Sequence, residues 1–257
     1  MRCLRFLCLI PCVVMAAAPN PDIDVMSETD LDPTVLRTRV KLSNEYVDSD
    51  FGGSENTTTL NLSYAFGNPA RPDWSAQLDL PLVNYNAGDQ AKSTDATGFG
   101  DIELRILHVF DAGGVFRWGL GAQAHFNTAS EPQLGDGAFR LSPALNFALQ
   151  PCRSFKLQTI VQFDQSLVTD SGVPEQRALE ARPAVQFDLP FSCYGYLETE
   201  LDWDLKADAE FSSTLKVELG RAFGSRKEWV ASVRYQTPLT ESADHYSLTA
   251  GLSYVFP

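Results

Sequence analysis

Two rows of like charge run through this 257-residue chain. Glu198, Glu200, Asp202 and Asp204 alternate with Leu197, Thr199, Leu201 and Trp203, while Arg37, Arg39 and Lys41 alternate with Thr38 and Val40. In an extended strand every second side chain shares a face, so each row presents one sign along one face. Unit charges at such spacing repel unless ions or opposing charges meet them. The chemistry open to them is therefore electrostatic. They can hold and steer charged solutes, or lock to one another as salt bridges. Asp101, Glu103, Arg105, Arg117, His125 and Arg140 fall on the polar face of their own segments and join them as candidates.

Bond-making chemistry finds less support. A hydrolase needs a positioned nucleophile, a base and an orienting group. Ser247 shares a face with His245, yet no third member or oxyanion donor accompanies them, so no catalytic residue is assigned. Cys152 and Cys193 are too few for a metal site and have no His near them in sequence, so neither metal nor cofactor is expected. Gly98 and Gly100 precede a strand rather than open a helix, which rules out a dinucleotide fingerprint.

The elements that must position the charges are strands. Leu36, Val40, Leu42 and Tyr46 face away from the first basic row. Tyr246, Leu248, Ala250, Leu252, Tyr254 and Phe256 form the apolar face of the last segment. Between them the period of two recurs in about ten further segments, about twelve in all, an even number as bacterial single-chain barrels require. Phe99, Ile102, Leu104, Ile106 and Phe110 read as one strand, the fourth. Tyr194 and Tyr196 fall out of phase with Leu197, Leu201 and Trp203, which predicts a bulge or a late strand start.

Alternation alone leaves open which face is inside, since a soluble barrel and a membrane barrel read alike. Three features favour the membrane. Connections alternate between short ones, such as Gln150 to Ser154 and Pro190 to Cys193, and longer polar ones, such as Asn84 to Gly98 and Asn127 to Asp136. Aromatic residues gather at both ends of the apolar faces, as two headgroup girdles would. The opposite faces carry nearly all the strand charges. The expected fold is an all-β, transmembrane, antiparallel up-and-down barrel of about twelve strands, with short periplasmic turns and longer extracellular loops. No third way through lipid satisfies the backbone in a chain lacking an 18-residue apolar run. That topology sets Cys152 and Cys193 at the periplasmic ends of neighbouring strands and predicts a disulfide between them.

Around the barrel, Met1 to Ala18 has the charged start, apolar run and small residues of a secretory signal peptide. Residues 19–33 read as an acidic periplasmic lead-in, and 34–257 as the barrel. A formal net charge of −13 argues against nucleic acid as a partner.

The final Thr249 to Phe256 stretch, with Gly251, Tyr254 and Phe256, resembles the C-terminal assembly signal of bacterial outer-membrane barrels, although Pro257 follows it. The Gly98-Phe99-Gly100-Asp101 start and the later Trp118-Gly119-Leu120-Gly121 resemble an outer-membrane barrel family named for the meta pathway of phenol degradation, whose members are described as transporters. The resemblance implies the outer membrane of a Gram-negative bacterium, with membrane lipid and the barrel-assembly machinery as partners. It also implies passive passage of small-molecule solutes, aromatic or hydrophobic ones among them. Two other readings stand beside it: a structural or adhesive outer-membrane barrel whose lumen is closed by salt bridges, and a soluble exported barrel that binds a ligand.

Overall fold

A computed structural model of the chain describes residues 32–49, 53–68, 71–88, 94–111, 115–206, 210–240 and 245–256. The expected signal peptide, most of the expected lead-in and Pro257 lie outside them. Thirteen strands follow in order: β1 (Arg39–Ser49), β2 (Ser54–Phe66), β3 (Trp74–Asn86), β4 (Ala96–Phe99), β5 (Glu103–Asp111), β6 (Phe116–His125), β7 (Ala138–Cys152), β8 (Phe155–Thr169), β9 (Arg177–Leu189), β10 (Cys193–Asp204), β11 (Phe211–Phe223), β12 (Trp229–Pro238) and β13 (His245–Val255). Each pairs antiparallel with its neighbours. β13 returns to β1 and β2 pairs with β3, so twelve of the strands close into a ring. The seam is in full register, from Arg39 opposite Val255 to Ser49 opposite His245.

The thirteenth strand arises from a division of the predicted fourth segment. Phe99 belongs to β4, which pairs with the upper part of β3 from Leu82 to Tyr85. β5 starts only at Glu103 and pairs with the lower part, from Trp74 to Asp79. The break falls at Gly100 to Ile102, and Gly100 donates its N–H to Pro81 O at 3.0 Å across it. Two short strands thus cover the edge of β3 that one long strand was expected to cover. β1 likewise begins at Arg39.

Burial settles the question that alternation leaves open. Leu248 is half exposed, and Leu42, Leu82, Leu104, Ile106, Leu120, Leu145 and Leu219 are exposed with it on the outer face. The side chains hidden inside are Asn61, Gln123, Ser142, Asn146, Lys156, Gln158, Gln162, Gln186 and Glu218, with Ser142 and Gln186 at 0%. Water would reverse this arrangement, because exposing a Leu costs hydrophobic free energy and burying amides gains none. Only lipid outside and polar groups inside make it stable, so the chain forms a transmembrane barrel. A soluble barrel with an apolar interior is excluded by the same burial pattern.

Rings mark the lower rim of the apolar belt. Tyr64, Phe66, Trp74, His108, Phe110 and Trp118 form one run, with successive centroids 4.2 to 6.3 Å apart. His108 belongs to this girdle, its Nδ1 lying 3.0 Å from Asp73 O. Tyr254 continues the rim, 4.9 Å from both Trp229 and Phe256. At the other rim Phe126 meets Phe139 at 5.6 Å and Trp203 meets Phe211 at 5.4 Å.

Two expectations are corrected. β10 runs without a register break from Cys193, so neither the bulge nor the late strand start predicted at Tyr194 and Tyr196 occurs. Both tyrosines instead point inward, clustered with Ala184, Ala222 and Val230, and their hydroxyls reach Glu218 and Glu198. The predicted disulfide is absent: Cys152 and Cys193 are free thiols. Cys152 ends β7 and Cys193 starts β10, with β8 and β9 between them. Three inter-strand steps of about 4.8 Å each place them far beyond the ~7 Å that a disulfide spans between Cα atoms.

Replacing Leu145, midway along the lipid face of β7, by Arg should destabilise the barrel by about 2–4 kcal/mol, whereas Ile there should be near neutral. Urea unfolding in lipid vesicles measures both. Alkylation of the denatured, unreduced protein should modify Cys152 and Cys193 alike; protection of the pair would contradict the geometry.

Candidate functional site

The inward residues of the strands build a lumen wall in which polar groups bond sideways to their neighbours. On β5 to β7, Arg105 donates Nε and Nη2 to Gln123 Oε1 at 3.1 and 2.6 Å. Gln123 donates Nε2 to Glu103 Oε2 at 2.6 Å, and His125 Nδ1 lies 3.1 Å from Glu103 Oε1. Arg140 continues the chain to Asp136 and to Gln176. Across the lumen, Glu198 and Glu200 share Lys216. Arg234 lies 2.7 Å from Glu218, which also accepts the Tyr194 hydroxyl at 2.6 Å, and the Tyr196 hydroxyl donates to Glu198. Burial would make each isolated charge costly, and these pairings offset the cost. Tyr194 lies flat on Gly220, where any side chain would strike the tyrosine ring.

A chamber of about 330 Å³ occupies the middle of the lumen. Six cationic side chains line it, Arg37, Arg39, Lys41, Arg105, Arg182 and Arg234, against three acidic ones, Asp32, Asp79 and Glu198. Of the residues singled out from sequence, Arg37, Arg39, Lys41, Arg105 and Glu198 therefore meet at one place. Glu103, Arg117, His125, Arg140 and Glu200 belong to the polar wall on either side of it. Gly251 faces the lumen beneath Lys41, whose Cε would lie 3.2 Å from a Cβ there, so this glycine leaves room for that lysine.

The outer acids serve otherwise. Asp204 Oδ1 accepts the N–H of Lys206 at 2.7 Å and shapes the end of β10. Asp202 has one oxygen buried without a hydrogen-bond partner. Asp101, expected in the lumen, is a loop clasp. Its Oδ1 accepts the N–H groups of Thr128 and Ala129 at 2.8 and 2.9 Å, and its Oδ2 that of Asp136 at 2.7 Å. Gly98 and Gly100 let this loop close in, since a Cβ on either would come within 3.1 Å of Leu134. The Gly-x-Gly-Asp motif thus seats the loop, whose short 3₁₀ turn Pro132–Leu134 buries Leu134 against Val83 and Ala96.

The residue that sequence reasoning missed is Asp32. The segment from Asp32 to Thr38 leaves the base of β1 and enters the lumen at the end where β6 and β8 begin. There the Asp32 carboxylate lies 2.7 Å from Lys156 Nζ on β8 and 3.1 Å from Arg117 Nη2 on β6, with side-chain exposures of 0%, 1% and 12%. β8 stands six strands from β1 in a ring of twelve, directly opposite. The segment is a strap across the lumen. Thr34 donates both its N–H, at 2.8 Å, and its hydroxyl, at 2.6 Å, to the same carboxylate, and Phe256 donates its N–H to Thr38 O at 2.9 Å. Burial alone would push the Asp32 carboxyl up; Lys156 and Arg117 outweigh it and hold the group below its ordinary value. Without a periodic pattern, nothing in the lead-in marks Asp32 from its neighbours. Lys156 gives a faint signal, a cation at an inward position of a strand start with no acid beside it in register.

Ser247 is buried in the lumen wall, and the His245 side chain lies outside the described residues. No group of three or more His, Cys, Asp or Glu that could hold a metal occurs among the described residues.

No protein-family model matches the chain, and no curated protein is similar to it in sequence. Its structure is similar to that of the NanC porin, with a TM-score of 0.62 at 11% identity over 84% of this chain and 98% of that one. It is also similar to the KdgM porin, with a TM-score of 0.55 at 11% identity over 85% and 100%. A second structure of that porin, in complex with disordered oligogalacturonate, matches equally well at 13% identity. At such identities the likeness is one of fold. This chain spans both porins almost whole.

Asp32→Ala leaves the buried Lys156 ammonium without its carboxylate, so it should destabilise the barrel by about 3–5 kcal/mol, and replacing Asp32 and Lys156 together by Leu and Met should cost less. Denaturant titration of the three proteins tests this. Because the folded carboxyl is held below 3.8, its contribution is complete above that pH and fades as pH falls through the lowered value. Wild type and the double variant should therefore diverge in pH dependence only under strongly acid conditions.

Proposed function

We propose that the protein is an outer-membrane channel of a Gram-negative bacterium that lets small polar solutes pass down their gradients. The observation that carries this reading is the charged chamber enclosed by a closed ring of strands whose outer face is apolar. The fold shared with two porins, one of them solved with oligogalacturonate, supports it. The amino-terminal stretch is a signal peptide in this reading, and the Gly251, Tyr254 and Phe256 pattern hands the chain to the assembly machinery. Catalysis has no part in it. The aromatic or hydrophobic solutes implied by the phenol-degradation resemblance find modest support. Val35, Leu36, Leu107 and Ile160 offer them apolar surface, but they are set among arginines and amides.

A lumen closed by its own ion pairs is the second reading, and the observation favouring it is the strap held by Asp32. Planar-bilayer recording and liposome swelling decide between the two. The channel reading expects stepwise conductance from wild type and a larger conductance from Asp32→Ala, which frees the strap. Silence in both assays from both proteins would defeat it and leave a scaffold. Recovery of the native protein from the soluble periplasm would remove the outer-membrane placement.

A further inference from the structure

Arg39, Arg105 and Arg182 share the chamber but come from three sides of it. Going round the ring, three strand steps separate β1 from β5, four separate β5 from β9, and five close the circuit to β1. The three side chains therefore line the chamber from roughly equal thirds of the ring. All three line one chamber of about 330 Å³. Three like charges inside a low-dielectric barrel repel one another strongly, and such an arrangement persists only if something compensates it.

The protein supplies that compensation incompletely. Arg182 has Glu180 at 2.6 Å. Arg39 and Arg105 have no carboxylate within ion-pair distance among the described residues. Arg39 Nε is buried and makes no hydrogen bond, and the hydrogen bonds of the Arg105 side chain go to the neutral Gln123. The acids nearest Arg105 are engaged elsewhere: Asp79 accepts from Gln77 at 3.0 Å and from Asn61, and Glu103 is held by Gln123 and His125. Arg39 and Arg105 thus line the chamber without an ion-paired carboxylate among the described residues.

We infer that Arg39, Arg105 and Arg182 form an oxyanion-binding constriction, and that the solutes admitted by the channel include small organic carboxylates. A carboxylate seated among the three accepts charge-assisted N–H bonds from planar donors suited to it, relieves their repulsion, and gives the unpartnered Nε of Arg39 an acceptor. Amide side chains round the same chamber, Gln77 and Gln162 among them, offer hydrogen bonds to the uncharged part of the solute. This inference rests on the channel reading only for transport; binding is independent of it.

The test uses the full barrel in two settings, with succinate as the probe. In detergent, isothermal titration should show succinate binding to wild type. The affinity should fall at least about tenfold in Arg39→Gln/Arg105→Gln, the loss expected for removing charge-assisted bonds. In bilayers under a KCl gradient, wild type should give a reversal potential of anion-selective sign, and succinate should reduce the chloride current. The double variant should lose both effects. Arg177→Gln, a substitution at an exposed arginine that stacks on Phe163 at 5.7 Å, should behave as wild type. Heat-modifiable migration on gels confirms that each variant forms a barrel, and Arg39→Lys/Arg105→Lys replaces a variant that does not. Wild type that conducts without anion preference, or that binds no succinate, overturns the inference. A protein that binds succinate yet never conducts upholds the site and defeats the channel reading.

Discussion

Hydrocarbon offers a peptide group no hydrogen bonds, so a strand in a membrane must find a partner on both edges or leave costly groups bare. Everything in this chain follows from that demand. The first and last strands pair along the whole length of β1, and the ring has no open edge at the seam. Where β5 starts late, β4 takes over the upper edge of β3 and Gly100 bonds across the break to Pro81. Barrel closure is preserved by a local irregularity rather than disturbed by it.

Closure in turn creates the problem of the interior. Twelve strands enclose a space into which every second side chain must point, and here those side chains carry charge. The wall answers with lateral pairings on successive strands, from Arg105 through Gln123, Glu103 and His125 to Arg140, and across Glu198, Glu200 and Lys216. At the end where β6 and β8 begin, two cations find their anion in Asp32, on a segment outside the sheet. That one carboxylate ties together the barrel base, the strap and the opposite wall. Two arginines lining the chamber, Arg39 and Arg105, have no ion-paired carboxylate among the described residues, and an incompletely paired polar surface is what a passing solute can use.

The resemblance motifs acquire a structural role on the same terms. Gly98, Gly100 and Asp101 seat the loop after β6 by close approach and by three backbone hydrogen bonds. Gly251 makes room for Lys41 in the chamber wall as well as marking the last strand. Tyr254 and Phe256 extend the aromatic rim beside Trp229. Motif and packing thus coincide at these positions.

By itself, the sequence determined what period two can determine: strands, their approximate number, and the sorting of residues into two faces, because side chains of an extended chain alternate whatever surrounds them. It placed Arg37, Arg39, Lys41, Arg105 and Glu198 on one face, and they meet in one chamber. It failed where a partner is remote or a pattern is broken by function. Tyr194 and Tyr196 read as out of phase because aromatics were expected on the apolar face, whereas their hydroxyls bond Glu218 and Glu198 in the interior. Asp101 has the parity of a lumen residue, yet the loop after β6 captures it. Cys152 and Cys193 sit in adjacent turns, yet three strand steps keep them apart. Which cations remain uncompensated and where Asp32 lands were decided only by the closed ring. Ring closure alone sets residues of β1, β5, β6, β8 and β9, distant along the chain, across a common interior.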